Sequence, residues 1–322
     1  MPPTLKPNPS TKPPGITARG LRRTFGSICA VAGVDLDIEP GTVTGILGPN
    51  GSGKSTTLRM LNGLVRPDSG TASVAGVQLV GDGTAVRRVA TFAPGEIALY
   101  GEMFGDEHLA WLLRGRPKAA FTKAQAIAEQ LGLPPKKKVH AYSHGMKRQL
   151  LFAAAMGPDV PVRILDEPTE GLDPAKRQEV LEMIGGEARA GGLVLLSSHH
   201  LSEVQAVCQR MVFFHGGSVI ADESPNDLNR RARRSATMVY ESPGQASGVA
   251  AALQQQLGPD SEAVIASATQ DKNNVLVQIA TDDPRPFLAE LAAQSGPAPL
   301  SLELGKLSLV DLYRTVYGVT GL

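Results

Sequence analysis

Residues 48–56 read GPNGSGKST, the spacing G-x-x-x-x-G-K-S. Glycines at 48, 51 and 53 let main-chain N–H groups turn inward around phosphate oxygens with no side chain in the way. A helix that starts at such a loop presents its partly positive N-terminus to the same anion. Lys54 can bring its ammonium to the β- and γ-phosphates, and the Ser55 hydroxyl suits Mg²⁺. The whole run of Gly48, Pro49, Asn50, Gly51, Ser52, Gly53, Lys54, Ser55 and Thr56 is therefore expected to enclose the phosphates of a nucleoside triphosphate. A second run, ILDEPTEGLDP at 164–174, is acidic. Asp166 ends an apolar stretch, and a carboxylate at the C-terminal end of a buried strand can hold Mg²⁺ through its waters. Glu167 beside it can polarise an attacking water as general base, an effect worth about 10²–10⁴-fold. His199 ends the next apolar stretch, in VLLSSHHLSEV. On chemistry alone it is either a structural strand-end histidine or a catalytic one.

These groups need a scaffold, and the apolar pattern supplies one. A strand at 42–47 precedes the glycine-rich loop and a helix from 53 to about 64 follows it, the context a phosphate loop requires. Further strands are expected at 16–24, 28–38, 71–80 and 86–92. Residues 96–160 are mostly helical in pattern, with 121–131 the clearest amphipathic stretch. Buried strands at 162–166 and 193–198 flank a helix over 174–189, and this alternation predicts a parallel α/β sheet. Composition shifts at 229–235, NRRARRS, which reads as a solvated helix end or linker, or as a weak contact for anionic lipid heads. Beyond it come a strand (237–242), helix (246–257), two strands (263–268 and 274–280), helix (285–294), strand (299–304) and a last helix (308–317). That βαββαβ order matches a ferredoxin-like unit. The expected domains are a disordered tail at 1–14, a nucleotide-binding domain at 15–234 and a small α+β domain at 235–322.

The chain has 322 residues, 42% hydrophobic and 20% charged, enough for two folded domains and against wholesale disorder. A formal net charge of +1 lacks the basic excess of a nucleic-acid binder. The two cysteines, Cys29 and Cys208, stand far apart in no metal-binding pattern and fit buried packing in a reduced compartment. No apolar run approaches the ~20 residues needed to cross a bilayer, so a membrane role would come through a partner. The N-terminal MPPTLKPNPSTKPPG has no apolar segment and is not a secretory signal.

One further stretch, YSHGMKRQ at 142–149, gives these motifs a common meaning. The set GPNGSGKST, YSHGMKRQ, ILDEP, EGLDP and SSHHLSEV resembles, in order and spacing, the ATP-binding subunit of ABC transporters, over roughly residues 16–228. The resemblance implies a P-loop ATPase fold with a helical subdomain at about 96–160, and ATP with Mg²⁺ as its ligands. Ser143 and Gly145 match the signature motif, which in that family closes on the γ-phosphate held by a second copy. Here His144 and Met146 replace its commoner glycine and glutamine, and a following Met-Lys-Arg is frequent in exporters. Asp173 matches a loop that meets the dimer partner, and His199 the histidine that contacts the γ-phosphate. Phe25 stands where the family places an aromatic on adenine, with core packing as its other reading. One position departs: in TFAPGEIALYGEM, Gly95 replaces a glutamine that senses the metal and the permease. Either Glu96 takes over the metal contact or this loop couples differently. The loop near 100–104 of the helical subdomain would meet the permease, and residues 236–322 resemble the accessory domain of drug and antibiotic exporters. The resemblance therefore implies a cytoplasmic ATPase at the inner face of the membrane, paired with a copy of itself, driving an integral membrane permease for export, with no nucleic-acid partner. A soluble ABC ATPase without a permease is the alternative, as is a regulator that binds ATP with little hydrolysis. The single cassette, the absence of sustained heptads between Lys54 and Ser143, and the near-neutral charge weigh against the first of these. Gly95 keeps the second open.

Overall fold

The computed structural model describes residues 14–255, 265–293, 296–306 and 309–313. Most of the expected N-terminal tail, and much of the expected last helix, lie outside the described residues. Two compact units divide at Asp222 and Glu223.

The first unit begins with long strands β1 (Ile16–Phe25) and β2 (Ile28–Ile38), joined as an antiparallel hairpin. Then follow β3 (Val43–Leu47), α1 (Lys54–Leu61), β4 (Ser69–Val74), β5 (Val77–Gln78), α2 (Thr84–Val89) and β6 (Ala90–Ala93). The chain is next helical through α3 (Gly105–Leu112), α4 (Lys118–Gln130) and α5 (His144–Met156). It continues with β7 (Val162–Asp166), α6 (Pro174–Arg189), β8 (Leu193–Ser198), α7 (Leu201–Val207), β9 (Arg210–His215) and β10 (Ser218–Glu223). One sheet has the order β10-β9-β3-β8-β7-β6, parallel at the β9-β3, β3-β8, β8-β7 and β7-β6 pairings. Every residue of β3, β7 and β8 is buried. Strands covered on both faces read as mostly apolar runs, as in Leu193–Leu196 of β8, although β7 also buries Arg163.

Beside the expected parallel sheet stands a second sheet, β2-β1-β4-β5, whose pairs are antiparallel. Two strand boundaries also change. The stretch 71–80 breaks into β4 and β5 because Ala75 (φ 49°) and Gly76 (φ 78°) turn through the left-handed region. Residues 86–92 are half helix: Val86 is buried and Val89 half-buried, the i, i+3 spacing of a helix face. The Asp82 carboxylate accepts from the Thr84 N–H (3.0 Å) and hydroxyl (2.6 Å) at its start. Between β6 and β7 the helices bury a core of their own, including Leu109, Leu133, Val139 and Leu150.

The second unit opens with α8 (Pro225–Arg233), where Ser224 and Asp227 form a capping box. The arginine run is the end of this helix, not a linker. Arg230, Arg231 and Arg234 pair with Asp227, Glu223 and Asp282. Then come β11 (Ser235–Val239), α9 (Pro243–Gln255), β12 (Ile265–Asp271), β13 (Asn274–Ile279), α10 (Arg285–Ala293) and β14 (Ser301–Leu304). Their sheet has the order β12-β13-β11-β14 with antiparallel pairs throughout. Met238, Tyr240, Leu253, Val275, Val277 and Phe287 lie in its core.

Candidate nucleotide site

The fully buried strand β3 runs straight into the glycine-rich loop. At Gly48 a β-carbon would sit 2.5 Å from the Ser52 hydroxyl and 2.6 Å from the Phe214 carbonyl oxygen, so no larger residue fits. Gly53, at φ 99°, caps α1 in the left-handed conformation and offers no side chain to its first N–H groups. Those groups are left for an anion. Lys54 is buried, and its Nζ donates to the carbonyls of Gly48 (2.7 Å) and Pro49 (3.1 Å), folding the ammonium back over the loop. Burial pushes that ammonium below its ordinary pKa, while the charges of Glu167 and Asp166 pull the other way. The Ser52 N–H donates to the Pro49 carbonyl at 3.2 Å, closing the turn around Asn50 and Gly51. Thr56 continues the first turn of α1, half-buried.

Three expected residues converge on this loop from the ends of β7 and β8. Asp166, only 1% exposed, is the last residue of β7. Its Oδ1 accepts from the Ser55 hydroxyl at 3.0 Å and from the Ser197 hydroxyl at 2.5 Å. Glu167 is in the left-handed conformation at φ 50°, and its N–H donates to the same Ser197 oxygen at 3.0 Å. The Glu167 carboxylate lies 3.2 Å from Nδ1 of His199, whose ring is tilted against that of His200 with centroids 4.0 Å apart. Burial holds the Glu167 carboxyl above the ordinary carboxylate range; Glu170 adds to this, and His199 opposes it. Ser55 and Asp166 are hard oxygen donors side by side, the chemistry Mg²⁺ takes. Among the described residues no cluster of three or more His, Cys, Asp or Glu could enclose a metal ion. A cation here would complete its shell with phosphate oxygens and water.

Other expected residues sit apart from that centre. Ser143 caps α5, its hydroxyl accepting from the Met146 N–H at 3.2 Å, and Asp173 caps α6 by accepting from the Lys176 N–H at 3.0 Å. Gly145 packs close to the Gly171 carbonyl, where a β-carbon would come within 2.8 Å. Among the described residues, no hydrogen bond or ion pair joins Ser143 or Gly145 to the phosphate loop of the same chain. Phe25 ends β1 and is 45% exposed, which removes the core-packing reading, and the Arg23 guanidinium lies 4.7 Å from its ring centroid.

At the departing position, Gly95 approaches Asp166 so closely that a β-carbon would stand 3.0 Å from Oδ2. Glu96 is turned outward, 81% exposed, and faces Arg59 at 3.6 Å instead of the Asp166 carboxylate. What holds this loop is Arg148 of α5, a residue the sequence did not single out. Its guanidinium is buried, donates to the carbonyls of Pro94 (3.0 Å) and Gly95 (2.7 Å), and meets Glu170 at 3.3 Å. A buried arginine whose Nη1 donates to two main-chain oxygens fixes the path of the loop it grips, here with its Nε left unpaired among the described residues.

Comparison with known proteins agrees with this geometry. Residues 31–170 match the protein family described as ABC transporter. Over 312 residues, 94% of this chain and 92% of the relative, the sequence is 32% identical to the daunorubicin/doxorubicin resistance ATP-binding protein DrrA of Streptomyces peucetius. It is 34% identical over 224 residues, 67% of this chain and 68% of the relative, to the doxorubicin resistance ATP-binding protein DrrA of Mycobacterium tuberculosis. A solved ATP-binding subunit of an ABC transporter shares the fold with TM-score 0.61 and 26% identity, over 67% of this chain and 92% of that one. A bacterial ABC transporter cassette solved as a dimer gives TM-score 0.60 at 23% identity, over 65% and 98%, and bears on the fold alone. The chain belongs to the ABC transporter family, as one of its ATP-binding and ATP-hydrolysing subunits.

Proposed function

We propose that this subunit works as a dimer with a second copy of itself and drives a separate membrane permease in the direction of export. The observation that carries the dimer is that, among the described residues, no hydrogen bond or ion pair joins the start of α5 to the phosphate loop of its own chain. Lys54, Asp166 and Glu167 gather at the start of α1, while the Ser143-led start of α5 lies apart and stands ready for the nucleotide of another copy. Export rests on the relatives, which are named as drug-resistance ATP-binding proteins. No helix among the described residues is long and apolar enough to cross a membrane.

In this reading the loop 48–56 takes the phosphates of ATP through its N–H groups and Lys54. Ser55 and Asp166 would hold Mg²⁺, which when bound supplies charge neutralisation at the β- and γ-phosphates. Glu167 accepts the proton of the attacking water, and His199 fixes the Glu167 carboxylate from the side. Phe25, exposed at the end of β1, offers its ring to adenine. Closing two copies on ATP and reopening them after hydrolysis is a ligand-driven shift between two states. We read the second unit as ferredoxin-like, on its βαββαβ order and antiparallel sheet, and as the accessory domain of an exporter.

The base assignment carries a pH dependence. A base acts only when ionised, so kcat/KM for ATP, which reports groups of the free enzyme, falls as pH drops through the raised pKa of Glu167. The acid limb is expected above the ordinary carboxylate value of about 4.3. A limb at or below that value would contradict the assignment.

Fractionation of the tagged chain expressed in its native host tests the permease partnership. The protein should sediment with the membranes, be released by an alkaline carbonate wash and crosslink to a membrane-spanning protein. A chain found wholly in the soluble fraction, with no such crosslink, would sink the permease reading and favour an ABC ATPase that works alone.

A further inference from the structure

We propose that Ser197 is a positioning residue for ATP hydrolysis: its hydroxyl sets both the Asp166 carboxylate and the Glu167 backbone. The inference rests on the reading of Asp166 as the metal-facing carboxylate and Glu167 as the base. Parallel pairing of β7 with β8 places Asp166 opposite Ser197 in register. Both residues are buried, at 1% and 0% exposure, so neither can be served by bulk water.

One hydroxyl has one proton to give and lone pairs to receive. Ser197 gives its proton to Asp166 Oδ1 at 2.5 Å and receives the Glu167 N–H at 3.0 Å. A hydroxyl bonded to a carboxylate is among the stronger neutral donors a protein has. The second bond falls where the backbone needs it. Glu167 holds φ 50°, a left-handed conformation that a residue with a β-carbon seldom adopts without support.

The remaining contacts show why the orientation matters. Oδ1 also accepts from Ser55 at 3.0 Å, so Ser55 and Ser197 together commit that oxygen. Oδ2 is left on the side of Gly95, where even a β-carbon would come within 3.0 Å. The carboxylate is thus held through Oδ1 by two hydroxyls, while Oδ2 faces the side that Gly95 leaves clear of a side chain. If Ser55 turns toward a cation, the Ser197 donor stays in place and Asp166 keeps its plane. With an apolar residue at 197, Asp166 is free to tilt and the Glu167 N–H is buried without a partner.

The test compares Ser197→Thr with Ser197→Val, which have nearly the same shape and differ in the hydroxyl. Affinity for a fluorescent ATP analogue is titrated in Mg²⁺ and in EDTA, and kcat is measured beside it. Ser197→Val should weaken binding in Mg²⁺ about tenfold or more, change it by less than about twofold in EDTA, and lower kcat, whereas Ser197→Thr should restore all three to within about threefold. Equal behaviour of Thr and Val, or equal loss in Mg²⁺ and EDTA, overturns the proposal. If the Val variant does not fold, Ser197→Ala takes its place under the same criteria. Asp166→Asn is run in parallel. If it loses the Mg²⁺-dependent part of binding while Ser197→Val keeps it, Ser197 alone is wrong. If Asp166→Asn keeps it, the reading of the acid falls, and this proposal with it.

Discussion

Lys54→Ala leaves a folded protein whose ATP binding falls by roughly 30-fold to several thousand-fold. Lys54 is 5% exposed, and its ammonium is held by the Gly48 and Pro49 carbonyls at 2.7 and 3.1 Å, directly over the space the loop encloses. Burial already works against this charge, so the ammonium gains when phosphate oxygens join those carbonyls around it. Removing one member of a buried charge pair costs about 2–5 kcal/mol, roughly 30-fold to several thousand-fold in Kd. The fold does not depend on it to the same degree. Helix α1 is anchored by Leu58, Met60 and Leu61, each fully buried, and Gly48 and Gly53 set the loop path through their own backbone. Isothermal titration with Mg-ATP should therefore show far less heat at concentrations that saturate the wild type. The ATP-induced rise in melting temperature should shrink while the temperature without ATP moves little. A variant that still binds with near wild-type affinity would show that main-chain N–H groups alone hold the phosphates.

The phosphate loop was legible because its chemistry is local. Each glycine answers to a backbone requirement within a few residues, and Lys54 and Ser55 follow directly in the chain. The strands that aim the site were legible for a related reason: β3, β7 and β8 are buried throughout, and such strands are mostly apolar even where β7 admits Arg163. What stayed hidden depends on register between distant segments. Ser197 looks like any serine beside another, and gains a role only because β8 pairs with β7 so that it meets Asp166. Arg148 sits inside a motif whose neighbours drew attention, yet its partners Pro94 and Gly95 lie on another loop. Gly95 itself reads in the sequence as the loss of a glutamine. In the fold it stands where a β-carbon would come to 3.0 Å from the Asp166 carboxylate, so a side chain there would press on that group. The helix over 84–89 was missed because a four-residue apolar pattern of V-R-R-V fits a strand end and a helix face alike. In the second unit the order of elements could be read, but the sheet order β12-β13-β11-β14 could not, since it depends on non-local pairings.

Glu167→Gln should bind ATP and turn it over about 10²–10⁴-fold more slowly, the usual worth of a general base. The substitution is mild for the structure. The backbone at 167 is fixed by the Ser197 hydroxyl through the N–H, which glutamine keeps. The amide can still face His199 Nδ1, now 3.2 Å from the carboxylate. Burial disfavours a charge at this position, so a neutral side chain should hold or raise the melting temperature. A trapped ATP state then makes the dimer visible. By light scattering after gel filtration, the variant should run as a monomer without nucleotide and double its mass with Mg-ATP. Adding Ser143→Glu should prevent the doubling without weakening ATP binding to the monomer, because a carboxylate at the start of α5 would repel the partner's phosphates. Doubling that survives the second change would place the contact elsewhere. A monomer under both conditions would mean that closure waits for the permease, or that the Gly95 loop has disabled it, and would favour a regulator that holds ATP. Normal turnover in Glu167→Gln would remove Glu167 from the base role. The attacking water would then have to be sought beside another group, with His199 and Glu170, both against Glu167, as the neighbouring titratable side chains.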